Sequence, residues 1–360
     1  MKILIMSWRC IKNPNSGGSE IYFHELAKRW VKWGNEVVWI SPEFPGCNRE
    51  EICDGIKIIR RGGKISVYFW AFWMYMTKLT HDFDAIIDVE NGIPFFSNLY
   101  ADKMKIFLHL HHVHKEVWFK QEKFPLSLIG YLLETILIPI LYRKNRVITI
   151  SKSSAEDILK EKIIKIKPFI VNPGINFLNF KKFQKNDKPA VLFMNRIKKY
   201  KGVHILLDAA HILKDDDIEF WICGSGDDLP AMKRYAKKNR LNKVHFFGKV
   251  SELKKIELMQ KSWVFVNPSF KEGWGIVNIE ANYFGTPVIG SDVSGIRDSV
   301  KDGITGMLFK YGDYKELAKK IKIMIYNNKI RKKMSRVSSN WARKFEWDLK
   351  AREYLKIIEG

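Results

Sequence analysis

Cysteine is scarce: Cys10, Cys47, Cys53 and Cys223 stand far apart in a chain of 360 residues, and none has the short spacing that builds a disulfide framework or a metal shell. A disulfide-stapled secreted domain and a structural zinc module are therefore excluded, and a reduced, cytoplasmic compartment is the expected home. The opening MKILIMSW lacks the long apolar core and small-residue cleavage site of a secretory signal and reads as a first buried strand. No low-complexity tract, short-period repeat or nucleic-acid-binding motif is present. The longest apolar stretch, PLSLIGYLLETILIPILY at 125–142, is interrupted by Glu134, which argues against a membrane-spanning helix of about 20 apolar residues. Acidic residues are outnumbered, 39 against 62 Lys and Arg, for a formal net charge of +23. That excess favours anionic partners such as nucleotides or lipid headgroups, although lysines spread along the whole chain also read as solvated helix faces. Without a nucleic-acid motif, a nucleic-acid partner is not expected.

A hydrophobic fraction of 46% and a charged fraction of 28% describe a globular protein, and the length suits two domains. Apolar β-rich runs (ILIMSW, EVVWIS, AIIDV, KIFLHL, RVITIS) alternate with helical stretches, the first near Ser19 to Gly34. The pattern weakens from Val171 to Pro189 and then resumes with AVLFMNRI, EFWICG, VHFFG, WVFVNPS and TPVIGS. Such alternation predicts an α/β fold of two doubly wound, mostly parallel lobes. The boundaries read as 1–175, 176–345 and a terminal helix at 346–360 that packs back toward the first lobe. Open α/β sheets bind ligands at the carboxyl ends of their strands, so a shared crevice between the lobes is the expected site.

The most informative string is PSFKEGWGIVNIEANYFGTPVIGSD. If a helix starts near Gly275, Glu272 precedes it and Glu280 lies more than a turn inside, so the two carboxylates address different parts of one elongated ligand. Gly273 and Gly275, flanking Trp274, allow close backbone approach, and the free amides around Gly275 and Ile276 can meet a phosphate or sugar oxygen. In FMNRIKKYKGVHILLDAA, Arg196 and Lys201 follow a buried strand, where a planar fork and a point charge could neutralise a diphosphate. Gly17 and Gly18 precede the first helix and can also turn amides toward a phosphate, with Ser19 alternatively an N-cap. In KIFLHLHHVHKEVW, alternation along a continued strand would put His112 and His114 on one face and His109 and His111 on the other. No acidic or cysteine partner is spaced to complete a metal shell there. The run Asp215, Asp216 and Asp217 reads as a solvated turn, and no metal is expected.

The Glu272/Glu280 string resembles the two-glutamate signature of retaining family-four glycosyltransferases, which have the GT-B fold of two Rossmann-like lobes. The resemblance spans nearly the whole chain. It implies that Glu280 binds the donor ribose hydroxyls and Glu272 the donor sugar, that Arg196 and Lys201 stabilise the departing nucleoside diphosphate, and that the base lies beside Phe247 to Val250, with Gly226 and the glycines of the Trp274 loop lining the donor. It places a histidine of the 109–114 loop against the donor sugar, His112 first and His111 or His114 as alternatives, and it makes the Gly17–Gly18 turn the opening of the acceptor lobe. Asn195 departs from the family's usual glycine, which affects local backbone geometry. The implied reaction moves a hexosyl group from a UDP- or GDP-sugar co-substrate, without other cofactor, to an acceptor hydroxyl in glycolipid, lipid-linked glycan or cell-surface polysaccharide synthesis.

The acceptor is less legible. KISVYFWAFWMYMTKL at 64–79 and the stretch at 125–142 read either as buried core or as an interface-lying surface for a lipid-linked acceptor at the inner face of the cytoplasmic membrane. Two rival classes are an epimerase of the same fold, which would turn over a nucleotide sugar without acceptor, and a non-catalytic polyanion binder, whose binding would fall steeply with salt.

Overall fold

In the computed structural model, which describes residues 1–79, 82–111, 113–115, 118, 119, 123–176 and 182–360, the chain divides into two units. One comprises Met1–Gly174 with Trp347–Gly360, the other Ile175–Glu346.

The first unit is built on eight strands: β1 (Lys2–Met6), β2 (Glu36–Ser41), β3 (Glu50–Cys53), β4 (Ile56–Arg60), β5 (Ala85–Glu90), β6 (Ile106–Leu110), β7 (Arg146–Thr149) and β8 (Phe169–Ile170). Their order is β3-β4-β2-β1-β5-β6-β7-β8, parallel throughout except for the antiparallel pair β3/β4. Burial of both faces explains the unbroken apolar runs in the sequence. Leu4, Met6, Val38, Ile40, Ile86 and Leu108 share one core with Val67, Ala71, Met74 and Tyr75 of the helix Ser66–Thr77. Their neighbours Ile3, Ile5, Val37, Trp39, Ile87 and Phe107 are equally buried.

The helix Gly18–Lys32 brings Phe23 edge-on against Trp39 and His109. The terminal helix Trp347–Glu359 packs on that helix: Tyr354 lies against Trp30, whose indole donates to Ala351 O at 3.0 Å, and Arg29 pairs with Asp348 at 2.6 Å. The β3/β4 hairpin, absent from the sequence reading, turns at Asp54 and Gly55, both with positive φ (50° and 80°), as a two-residue turn matched to strand twist requires.

The second unit has six parallel strands: β9 (Ala190–Met194), β10 (Glu219–Cys223), β11 (Val244–Gly248), β12 (Val264–Asn267), β13 (Val288–Ser291) and β14 (Gly306–Phe309), in the order β11-β10-β9-β12-β13-β14. Val191, Phe193, Ile222 and Val266 enter one core with the helices Val203–Ile212 and Tyr314–Tyr326. Leu192, Trp221 and Phe265 enter the other, with Leu258 and Ala281. The strand order reverses direction between β9 and β12, which opens a crevice at their carboxyl ends, the position where doubly wound sheets take ligands.

Candidate active site

The loops leaving β9 and β12 bring together residues far apart in sequence. Lys201, only 8% exposed, donates from Nζ to Glu272 Oε1 at 2.5 Å. The same oxygen accepts from Asn195 Nδ2 at 3.2 Å and lies 3.0 Å from Ser269 Oγ. The Ser269 hydroxyl is also 2.8 Å from Asn267 Oδ1, and its single proton serves one of the two at a time. Asn267 continues the buried polar chain through Asn278 to Ser299, each step 2.9 Å, so the Glu272 carboxylate is set by a network anchored on three elements.

Backbone conformation makes this approach possible. Gly202 has φ +73°, and a Cβ there would fall 2.0 Å from Pro268 O; Gly295 has φ +80°, with Glu272 O at 2.2 Å from an added Cβ. Both positions admit only glycine without displacing main chain.

Arg196 is exposed beside this pair, its amide bound to Asn195 Oδ1 at 2.9 Å. Gly275, in the left-handed region, caps the helix Ile276–Tyr283, whose first amides have no partner within the helix. Trp274 is buried against Phe345 at 5.1 Å, and its indole nitrogen has no hydrogen-bond partner among the described residues. Glu280, half-buried on the same helix, accepts from Lys255 Nζ at 2.8 Å, and Lys255 also meets Glu252 at 2.7 Å. Burial works against the Lys255 charge, but Glu280 and Glu252 outweigh it and hold its pKa above the ordinary lysine value. Gly226 follows β10, while Phe247 is the penultimate residue of β11 with its ring 6.2 Å from that of Trp221, and Val250 packs on the adjoining core.

The structure thus joins Lys201 directly to Glu272 and places Glu280 in a separate ion pair. Asn195, Ser269 and Lys255, which the sequence reading did not assign, complete these contacts. The Asp215–Asp217 run lies at the amino end of β10, where Asp216 meets Tyr326 and Lys322.

In the first unit, the switch in strand order falls between β1 and β5. There Gly17, not Ser19, caps the first helix, its amide bound to Glu20 Oε2 at 2.6 Å, and Gly18 has open space where a side chain would stand. The Ser19 hydroxyl lies 2.7 Å from His111 Nε2 and accepts from Asn91 Nδ2 at 3.0 Å. Burial pushes the His111 pKa down to about 3 and keeps the imidazole neutral, so either the ring nitrogen or the hydroxyl can supply the proton they share. His109 is buried among Tyr22, Phe23 and Tyr354 and is a packing residue. His112 lies outside the described residues. His114 meets two acidic side chains, Glu90 and Glu134, that its sequence spacing conceals.

Comparison with known proteins agrees with this architecture. Residues 175–341 match the family model described as glycosyl transferases group 1, and residues 16–177 match glycosyltransferase family 4. An uncharacterised glycosyltransferase of Methanocaldococcus jannaschii is 25% identical over 96% of this chain and 95% of its own. The N,N'-diacetylbacillosaminyl-diphospho-undecaprenol alpha-1,3-N-acetylgalactosaminyltransferase of Campylobacter jejuni is 28% identical over 54% of this chain and 51% of its own. Among solved structures, HepE of Anabaena in complex with UDP and glucose superposes with a TM-score of 0.76 at 15% identity, covering 99% of each chain. Two matching family models that together run from residue 16 to residue 341, on two parallel α/β sheets, make the chain a member of the family-four glycosyltransferases, with the GT-B fold.

Proposed function

We propose that this enzyme moves a hexosyl group from a UDP- or GDP-sugar to an acceptor hydroxyl, with retention at the anomeric carbon and without a catalytic metal, in the synthesis of a glycolipid, lipid-linked glycan or cell-surface polysaccharide. The observation that carries the proposal is the Lys201–Glu272 pair at the β9/β12 switch point. As the glycosidic bond to the donor lengthens, negative charge grows on the departing diphosphate, and preorganised cations stabilise it most where water is excluded. Lys201 is buried there, and Glu272 takes one of its three donors. Arg196 adds a planar fork and the first amides of the helix Ile276–Tyr283 a third set of donors.

Among the described residues the donors that meet Glu272 converge on Oε1, and Oε2 is left in this reading for a hydroxyl of the donor sugar. Glu280 takes the ribose hydroxyls, with Gly226, Phe247 and Val250 bordering the base and Gly273 and Gly275 the pyrophosphate. His112 contacts the donor sugar, with His111 and His114 as alternatives, and the Gly17–Gly18 turn lies on the acceptor side. The UDP and glucose in the HepE complex support a nucleotide-sugar donor of this kind. A thermal-shift series with UDP, GDP, ADP and their sugars tests the proposal. One base is expected to stabilise selectively, by about 2.7 kcal/mol at a hundred times its Kd, and no shift with any of them at millimolar concentration would count against it.

The acceptor is proposed to be lipid-linked, as it is for the Campylobacter jejuni relative, with the enzyme working against the inner face of the cytoplasmic membrane. No helix among the described residues is long and apolar enough to cross a bilayer. The helix Ser66–Thr77 instead buries Val67, Ala71, Met74 and Tyr75 and exposes Phe69, Trp70, Phe72, Trp73 and Met76. Leu126, Ile129, Ile136 and Ile140 are exposed in the 125–142 stretch, and Lys64, Lys78, Lys123 and Arg143 flank these surfaces. Aromatic side chains rimmed by cations suit an anionic interface. The protein is expected to float with phosphatidylglycerol-containing vesicles at low salt and not with purely zwitterionic ones. Absence from the anionic vesicle fraction would remove the membrane from this reading.

A further inference from the structure

Glu134, the carboxylate that interrupts the apolar stretch 125–142, is not used by the donor chemistry, yet it is only 1% exposed. It lies in a π-helical segment, Leu133–Leu137, a local widening that re-aims a side chain and is frequent at functional sites. Grouped with it are Glu90, at the end of β5 and fully buried, and His114, in the loop after β6.

His114 Nδ1 is 3.6 Å from Glu90 Oε1 and 3.8 Å from Glu134 Oε1. These separations are too long for hydrogen bonds. They are close to the spacing of two ligands on one cation, because bonds of about 2.0–2.2 Å at tetrahedral angles set neighbouring ligand atoms about 3.3–3.6 Å apart.

The surroundings are those of a built site. Glu90 Oε1 accepts from Gly92 N at 2.6 Å. Glu134 accepts from His114 N at 2.6 Å, Lys115 N at 2.7 Å and Trp118 Nε1 at 3.1 Å. Such outer contacts fix the direction in which a carboxylate offers its remaining lone pairs. Glu90 Oε2 is buried and has no hydrogen-bond partner among the described residues. The Trp118 ring closes over the group, so near Gly92 and Gly130 that a Cβ at either would lie 2.8 or 2.6 Å from it. Two buried carboxylates with oxygens within 4.8 Å of each other cannot both stay ionised without a compensating positive charge, whether a proton or a metal.

We propose that Glu90, His114 and Glu134 form a buried divalent-cation site of the zinc or manganese class, which ties the loop after β6 to the end of β5 and to the 126–141 helical segment. One imidazole nitrogen with two carboxylates suits those ions better than Mg²⁺ or Ca²⁺, which prefer all-oxygen shells. The ion's role is to hold the start of the loop after β6, next to His111, apart from the sugar transfer itself, and its binding is measured on the resting protein whatever the donor proves to be.

The test uses the untagged chain, stripped with a chelator and then titrated separately with Zn²⁺ and Mn²⁺. One tightly bound equivalent and a higher thermal midpoint are expected. Glu90→Gln and Glu134→Gln should each weaken binding by at least about tenfold. His24→Ala, in the separate His24, Cys53 and Asp54 group, should leave the equivalent in place. If the carboxamide variants do not fold, Co²⁺ on the unaltered protein decides: visible d–d bands without thiolate charge transfer are expected, whereas a thiolate band would assign the ion to Cys53 and overturn the proposal. No uptake of either metal, or uptake unchanged in the double carboxamide variant, would also overturn it and leave the pair sharing a proton.

Discussion

Lys201→Ala is expected to lower kcat by roughly 10²–10³-fold, the usual cost of deleting one preorganised donor at a site of developing charge, with a smaller rise in KM for the nucleotide sugar. On the proposed mechanism the asymmetry follows from when the charge appears: Arg196 and helix-start amides would already meet the ground-state diphosphate, while the added charge of the departing group would fall on the buried ammonium. Two controls separate chemistry from folding. Removing one member of a buried ion pair costs about 3–5 kcal/mol, so the variant's thermal midpoint should be measured and kinetics read below it. Lys201→Arg should not restore turnover, because a planar fork does not fit the space of a compact ammonium that lies 2.5 Å from Glu272 Oε1. A Lys201→Ala enzyme that is stable and turns over at the wild-type rate would defeat the assignment.

Glu280→Ala is expected to weaken nucleotide binding by roughly 10- to 100-fold, since a charge-assisted hydrogen bond contributes about 1.5–3 kcal/mol, and to abolish measurable transfer. Glu280 stands apart from the Lys201–Glu272 pair and is positioned by Lys255. The loss should therefore appear in calorimetric titration with the nucleotide alone, without a sugar attached. Glu280→Gln, which keeps the shape and one acceptor, should fall between the two. Unchanged transfer by the alanine variant would remove Glu280 from the donor site.

The strands were legible because parallel sheets covered on both faces demand uninterrupted apolar runs, and ILIMSW, AVLFMNRI and WVFVNPS are such runs. The β3/β4 hairpin was not read, although its signal was present: Asp54–Gly55 stands between short alternating segments, EEIC and IKIIR. β14 left little trace, because only Gly306–Phe309 pairs at the sheet edge. The contacts around Glu272 depended on tertiary proximity. Asn195, which departs from the family's usual glycine, binds Glu272 with its side chain, so the substitution adds a contact to the carboxylate that a glycine could not make. Lys255 looks no different from Lys254 in a basic helix, and only the fold brings Lys255 to Glu280. Glu134 was read as the charge that interrupts an apolar stretch, and no helix among the described residues is long and apolar enough to cross a membrane, but its place in a buried cluster was not read. Its partners Glu90 and His114 lie on other elements, beyond the reach of any spacing rule.

The first unit is assembled from two separate stretches, Met1–Gly174 and Trp347–Gly360, with the second unit encoded between them. A ribosome therefore releases all eight strands of the first sheet long before the residues that cover Trp30 and Tyr22 exist. During the intervening synthesis of the other unit, that aromatic face waits in water, at risk of being claimed by a chaperone or a neighbouring nascent chain, and it is sealed only when Tyr354 and Trp347 arrive.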